Sequence, residues 1–188
     1  RACRDGLPRL GQACPRCAMP LPVAGPCGPC LRRPSPLQEV HAAFVYAPPL
    51  DRLLPRFKFH RDLAAGRLLA GEMAAAFARL ERPQALLAVP LHRARLRRRG
   101  YDQALELARP LAARLGLPLL DHALARVRAT GAQSDLDAAA RRRNVRGAFQ
   151  VTTVALPAHV ALVDDVMTTG ATLRAAAATL RRAGVRRV

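Results

Sequence analysis

The chain has 188 residues, 51% of them hydrophobic and 23% charged, enough for one α/β domain with a buried core and a small appendage. Its 31 basic residues against 13 acidic ones give a formal charge of +18, which favours polyanionic partners, either nucleic acid or phosphorylated ligands. No run approaches the roughly 18 apolar residues of a membrane helix and no signal-peptide pattern is present, so the expectation is no membrane insertion and a cytoplasmic location. Lys58 is the only lysine among the basic residues. The first residue is Arg1 and the last, Val188, falls in an apparent strand, so the sequence is expected to be incomplete at both ends.

Residues 1–36 are rich in Pro, Gly and Cys and show neither a helical nor a strand period, so the segment needs a staple. Cys14-Pro15-Arg16-Cys17 and Cys27-Gly28-Pro29-Cys30 form two Cys-x-x-Cys knuckles with nine residues between them. Four thiolates so spaced make a closed tetrahedral site, and structural Zn²⁺ held by Cys14, Cys17, Cys27 and Cys30 is the expectation. A disulfide framework fits the cytosolic setting less well, and a catalytic dithiol calls for one knuckle in a βαβ unit rather than two in a Pro-rich loop. Cys3 is left over, either a ligand of a further knuckle or a spare thiol.

From residue 37 the chain alternates helices and strands. Leu63 to Leu80 has helix-forming Ala, Leu and Met and stops before Pro83, and Ala85 to Val89 is a short apolar strand ending at Pro90. After it come His92, Arg93, Arg95, Arg97, Arg98, Arg99 and Gly100. Here Arg98, Arg99 and Gly100 suit pyrophosphate, because guanidinium forks match phosphate oxygens, although a solvated basic helix start is the competing reading for any one arginine. Tyr101 to Leu115 is an amphipathic helix closed by Gly116, Leu117 to Leu120 and Ala123 to Val127 are short strand candidates, and Leu136 to Arg143 reads as helical. The polar stretch carrying Arg126, Arg128 and Gln133, with Arg141, Arg142, Arg143 and Asn144, is expected to form a mobile lid that contacts ligand or DNA phosphates. Gly147 to Val151 reads as an edge strand.

The most informative run is His159 to Leu173. A buried strand ends in Asp164 and Asp165, and Thr168, Thr169, Gly170, Ala171 and Thr172 lead into a helix whose face is Leu173, Ala176, Ala177 and Leu180. Carboxylates accept hydrogen bonds only and so suit the paired hydroxyls of a ribose; a loop of N–H groups and hydroxyls at a helix start suits a phosphate. The run therefore reads as a site for ribose with a 5′-phosphate. A P-loop needs a Lys after its glycines, which Thr172-Leu173 does not supply. Such alternation implies a parallel sheet covered on both faces, with ligands at the carboxyl ends of its strands.

The Asp164-Asp165 run resembles the 5-phosphoribosyl-1-pyrophosphate (PRPP) signature of type I phosphoribosyltransferases. Together with both knuckles, Phe57-Lys58-Phe59-His60-Arg61-Asp62, Val89-Pro90-Leu91-His92, Arg99-Gly100-Tyr101-Asp102-Gln103, Gln133, Arg141 to Asn144 and Gly147-Ala148-Phe149, it makes nearly the whole chain similar to the ComF family, which includes ComFC and GntX-like proteins. Many members carry Phe-Asn where this chain has Tyr101-Asp102, and no catalytic role is carried onto Asp102. The resemblance implies a zinc-binding module over 1–36 and a parallel-sheet type I phosphoribosyltransferase fold over 37–188, associated with handling of single-stranded DNA in natural competence. Two functions follow: a protein binding PRPP and single-stranded DNA, in company with other competence or DNA-processing proteins, or an enzyme moving ribose 5-phosphate from PRPP to a base with Mg²⁺ on the pyrophosphate. With two Tyr, five Phe and no Trp, the sequence places no aromatic platform for a base.

Overall fold

A computed structural model describes residues 2–129, 145, 147–153 and 155–188. The expected helix over 136–143, and Gln133, Arg141, Arg142, Arg143 and Asn144 of the expected lid, lie outside the described residues.

Two short helices, α1 (Ala2–Asp5) and α2 (Gly28–Arg32), belong to the Cys-rich segment. Helix α3 (Leu50–Phe59) is a finding the sequence did not suggest, because Pro48, Pro49 and Pro55 mask it; Pro49 stands at its N-cap and Pro55 is accommodated inside. Helix α4 (Leu63–Phe77) opens on Asp62, whose carboxylate accepts from the Ala65 N–H at 3.0 Å, and ends three residues earlier than the composition suggested. Strand β1 (Ala85–Ala88) follows, and then α5 (Arg93–Arg99), a basic helix of the kind the sequence offers for any one of these arginines. Arginine is a strong helix former, the Ala94 N–H donates to His92 Nδ1, and Gly100 at φ 88° closes the helix. Helix α6 (Gln103–Leu115) begins at the Asp102 cap and ends on Gly116 at φ 63°.

Strands β2 (Leu124–Arg126) and β3 (Phe149–Val151) form an antiparallel pair of their own. Strand β4 (Val160–Val163) lies parallel to β1, with Ala85 opposite Val160 and Ala88 opposite Val163. Single bridges extend this sheet on both sides, Leu119 beside Leu86 and Arg187 beside His159, both parallel. The expected strands at 117–120 and at the carboxyl end of the chain are thus present as bridges rather than ladders. Helix α7 (Ala171–Arg182) follows β4. The molecule is α/β, with a small parallel sheet and a cysteine cluster near the N-terminus.

All four residues of β1 are buried, as expected for a strand covered on both faces. Helices α4 and α6 pack together, and α6 lies against β1 and β4. The Cys-rich segment shares this core: Leu7 is buried with Leu37, Leu50 and Leu86, and Arg9 bridges to Phe44. Glu72 of α4, 2% exposed, receives Arg4 and Arg9 from that segment, the latter at 2.5 Å.

Spatial order across the sheet is the Leu119 segment, β1, β4, then the Arg187 segment. After β1 the chain moves to one side, and after β4 to the other. The crevice at the carboxyl ends of β1 and β4 is therefore a topological switch point, where the loops leaving the two strands diverge and a ligand can enter. Among the described residues, no helix is long and apolar enough to cross a membrane.

Candidate functional site

The loop after β4 carries the acids and the loop after β1 leads into the arginines, so adjacency of the two strands brings both to one crevice. The Asp164 carboxylate accepts from the Asp165 N–H at 2.9 Å. Burial raises the Asp164 carboxyl strongly, to about 8, and the neighbouring Asp165 charge adds to this while Lys58 opposes it. Lys58 of α3 lies 3.0 Å from the Asp165 carboxylate, which is itself mostly buried. Two adjacent acids thus share one lysine.

A further acid, Asp102, stands in the crevice. Its two oxygens accept from Leu91 N–H at 2.8 Å and Leu105 N–H at 3.2 Å, tying the post-β1 loop to the start of α6. Burial raises its carboxyl above the ordinary range, and Asp165 contributes in the same direction. Its carboxylate caps α6 and holds the post-β1 loop.

Lys58 and Arg126 both act on these acids, and Arg95 stands near Arg126. Helix α5 turns Arg95 and Arg99 inward, at i and i+4, while Arg93, Arg97 and Arg98 are exposed. Arg99 donates to Gln103 Oε1 at 2.5 Å, and its guanidinium sits 5.1 Å from the Phe59 ring centroid. Arg126, assigned by sequence to a mobile lid, instead stands in β2 at 8% exposure, over the Phe149 ring at 5.5 Å. Burial lowers its proton affinity, Arg95 lowers it further, and Asp164 and Asp102 oppose this, so Arg126 and Arg95 feel one another beside the acids. Burial, followed by Arg99 and Arg98, likewise lowers Arg95. Arg128 is exposed.

Of the expected pyrophosphate group, Arg99 is half-buried against Gln103 and Phe59, Arg98 is exposed and Gly100 caps α5. The expected phosphate loop runs from exposed Thr168 to Thr172 in the first turn of α7. Gly170, the N-cap, has φ 68°, and a Cβ there would stand 2.7 Å from Met167 Cε and 2.8 Å from Arg174 Nη1, so glycine is required on both counts. Thr169 Oγ1 accepts from the Ala171 N–H at 3.4 Å, and Arg174 donates to the Thr169 carbonyl. A cavity of about 590 Å³ runs from Asp165 along the apolar side of the sheet, past Leu162 and Leu86.

Sequence reasoning gave no site role to Lys58 or Arg174, and none beside the acids to Arg95. Lys58 had a signal, being the sole lysine of an arginine-rich chain. Arg95 had one as well, its i, i+4 relation to Arg99, legible once the segment is taken as helical.

The Cys-rich segment builds a second site. The Cys14 N–H donates to the Met19 carbonyl at 2.8 Å, closing the first knuckle, and Cys27 precedes α2. The four Sγ atoms of Cys14, Cys17, Cys27 and Cys30 lie within 4.8 Å of one another, and the Cys27 N–H donates to Cys14 Sγ at 3.3 Å. All four cysteines are free of disulfides. Burial and the adjoining thiols push Cys30 up to about 12; burial also acts to raise Cys14, but N–H groups of Cys27 and Arg16 outweigh it and bring Cys14 down to about 6. Four crowded thiols can all ionise only around a cation, so the cluster could hold a metal ion.

Fold and sites together define an α/β protein with an acid pair at a switch point and a separate four-cysteine cluster. The chain is 39% identical over 189 residues to the DNA utilization protein YhgH of Salmonella typhimurium, covering 97% of this chain and 83% of that protein. It is 38% identical over 171 residues to Competence protein F of Haemophilus influenzae, covering 86% and 75%, and 26% identical over 193 residues to Competence protein ComFC of Bacillus subtilis, covering 97% and 78%. It matches no protein-family profile and no solved structure. The chain belongs to the ComF family.

Proposed function

We propose that this protein binds PRPP in a type I phosphoribosyltransferase-like domain and binds single-stranded DNA, acting in DNA uptake or DNA metabolism in the cytoplasm. What supports the PRPP reading is the pairing of Asp164 and Asp165 with Lys58 and Arg126, and with Arg95 near Arg126, at one switch point. Acids alone would repel a polyphosphate and cations alone would not select a sugar; together they match a ribose with a pyrophosphate beside it. The Thr168–Thr172 loop at the start of α7 would take the 5′-phosphate, and Mg²⁺ entering with the ligand would bridge the pyrophosphate oxygens. The DNA reading is supported by the charge of +18 and by the names of the relatives, DNA utilization protein and Competence protein. Structural Zn²⁺ in the cysteine cluster suits four thiolates with no open position.

A second reading, transfer of ribose 5-phosphate to a base, draws support from Asp164, whose carboxyl near 8 is poised for proton transfer at neutral pH. Calorimetry of PRPP with Mg²⁺ tests the first reading. Wild type should bind, and Asp164→Ala with Asp165→Ala should stay folded and weaken binding, each lost charged hydrogen bond being worth about 1.5–3 kcal/mol. Unchanged affinity overturns the site assignment. Release of pyrophosphate with any of a panel of bases would move the enzyme reading ahead.

A further inference from the structure

Lys58 turns inward to Asp165, and the next residue, Phe59, ends α3 at the rim of the same crevice. Phe59 is 64% exposed. The Arg99 guanidinium lies on one face of its ring, 5.1 Å from the centroid. Arg99 is itself held by Gln103, which is 2% exposed, so the stack rests on a buried anchor rather than on a free surface side chain. Solvent therefore meets the ring's other face.

The segment after Phe59 is shaped to bring charge alongside. Arg61 adopts φ 55°, a left-handed conformation that non-glycine residues seldom take, and its Nη2 stands 3.1 Å from where a Cβ on Gly100 would be. Gly100, at φ 88°, leaves room for that guanidinium. Core packing does not account for an exposed aromatic ring, backed by one arginine and flanked by another. A flat π-face set among cations matches a nucleobase carried on a phosphate backbone.

We infer that Phe59 is a stacking platform for a base of single-stranded DNA, with Arg99 fixed behind the ring and Arg61 beside it for an adjoining phosphate. This rests on the DNA-binding reading above and gives it a contact point at the mouth of the PRPP crevice. The exposed arginines of α5, Arg93, Arg97 and Arg98, extend the positive surface along which a strand would run. Stacking of this kind is indifferent to base sequence.

The chain has no tryptophan, so Phe59→Trp introduces a single emitter at the platform. Its fluorescence should be quenched by an oligo(dT) strand, saturating where anisotropy of a labelled strand reports binding. Phe59→Ala should weaken strand binding about 5- to 150-fold at fixed salt while leaving the salt slope and metal content unchanged. Wild-type binding with Phe59→Ala equal to it overturns the platform alone, whereas no binding by wild type overturns the DNA-binding reading with it. Quenching by free nucleosides but not by the strand would assign the ring to an acceptor base and also overturn the inference.

Discussion

The Lys58 ammonium lies 3.0 Å from the Asp165 carboxylate, so the only lysine of the chain neutralises one of the two acids at the carboxyl end of β4. With Lys58 gone, Asp164 would lose a cation that opposes its rise, and its titration would move further upward. Lys58→Met should therefore move the pH midpoint of PRPP binding higher. A midpoint higher by about one pH unit leaves about tenfold less of the pair ionised at any pH well below it. Calorimetry from pH 6 to 9 measures this; an unmoved midpoint would show that the pair is incidental to binding.

Asp164 also makes stability depend on pH. Its folded carboxyl is raised to about 8 against an ordinary unfolded value near 4, so the native state holds a proton that the unfolded chain releases. That contribution is complete below the unfolded value and is lost as pH climbs to about 8. Thermal melts of Asp164→Asn should be flatter than wild type between pH 5 and 8 and sit above it at pH 8. Equal slopes would refute the assignment.

Glu72 ties the Cys-rich segment to α4 through Arg4 and Arg9. The acid is 2% exposed while the arginine side chains are about half exposed, so removing the two cations is the costlier deletion. Arg4→Ala with Arg9→Ala should destabilise by about 3–5 kcal/mol in urea, because it strands a buried charge, and Glu72→Gln should cost less. The reverse order would contradict this account.

One zinc per chain is expected in reduced protein, bound by Cys14, Cys17, Cys27 and Cys30 with sulfurs about 2.3 Å from it. Elemental analysis of wild type and of Cys14→Ser checks this, and the variant should lose the metal. Protein purified under reducing conditions without metal would count against the site.

Strand binding should weaken steeply with salt, by about 0.7 in log–log slope for each phosphate contacted. Replacing Arg93, Arg97 and Arg98 by Ala should then flatten the slope by about 2 with little effect on base preference. A slope unaltered by all three substitutions would clear α5 of phosphate contact.

Much of the architecture was legible beforehand because it rests on local rules. The alternation of Ala, Leu and Met segments with short apolar runs located α4, β1, α6, β4 and α7, and Asp102 and Gly116 mark the ends of α6 by ordinary capping chemistry. Helix α3 was hidden because its prolines speak against a helix that packing nevertheless sustains, with Leu50, Leu54 and Phe57 buried. Arg126 was misplaced into a lid because a polar neighbourhood in sequence does not reveal that a cation will be buried over Phe149.

By itself the sequence determined the acid pair, the glycine and threonine loop and the two cysteine knuckles, since spacing along one segment sets which of those groups can meet. Which cations face the acids was decided only by tertiary structure. Lys58, Arg95 and Arg126 come from three separate elements, and the parallel pairing of β1 with β4, together with the packing of α3 and of the β2–β3 pair, brings them together. No short-range pattern encodes that convergence, because it depends on contacts between residues far apart in the chain, made only when the core closes.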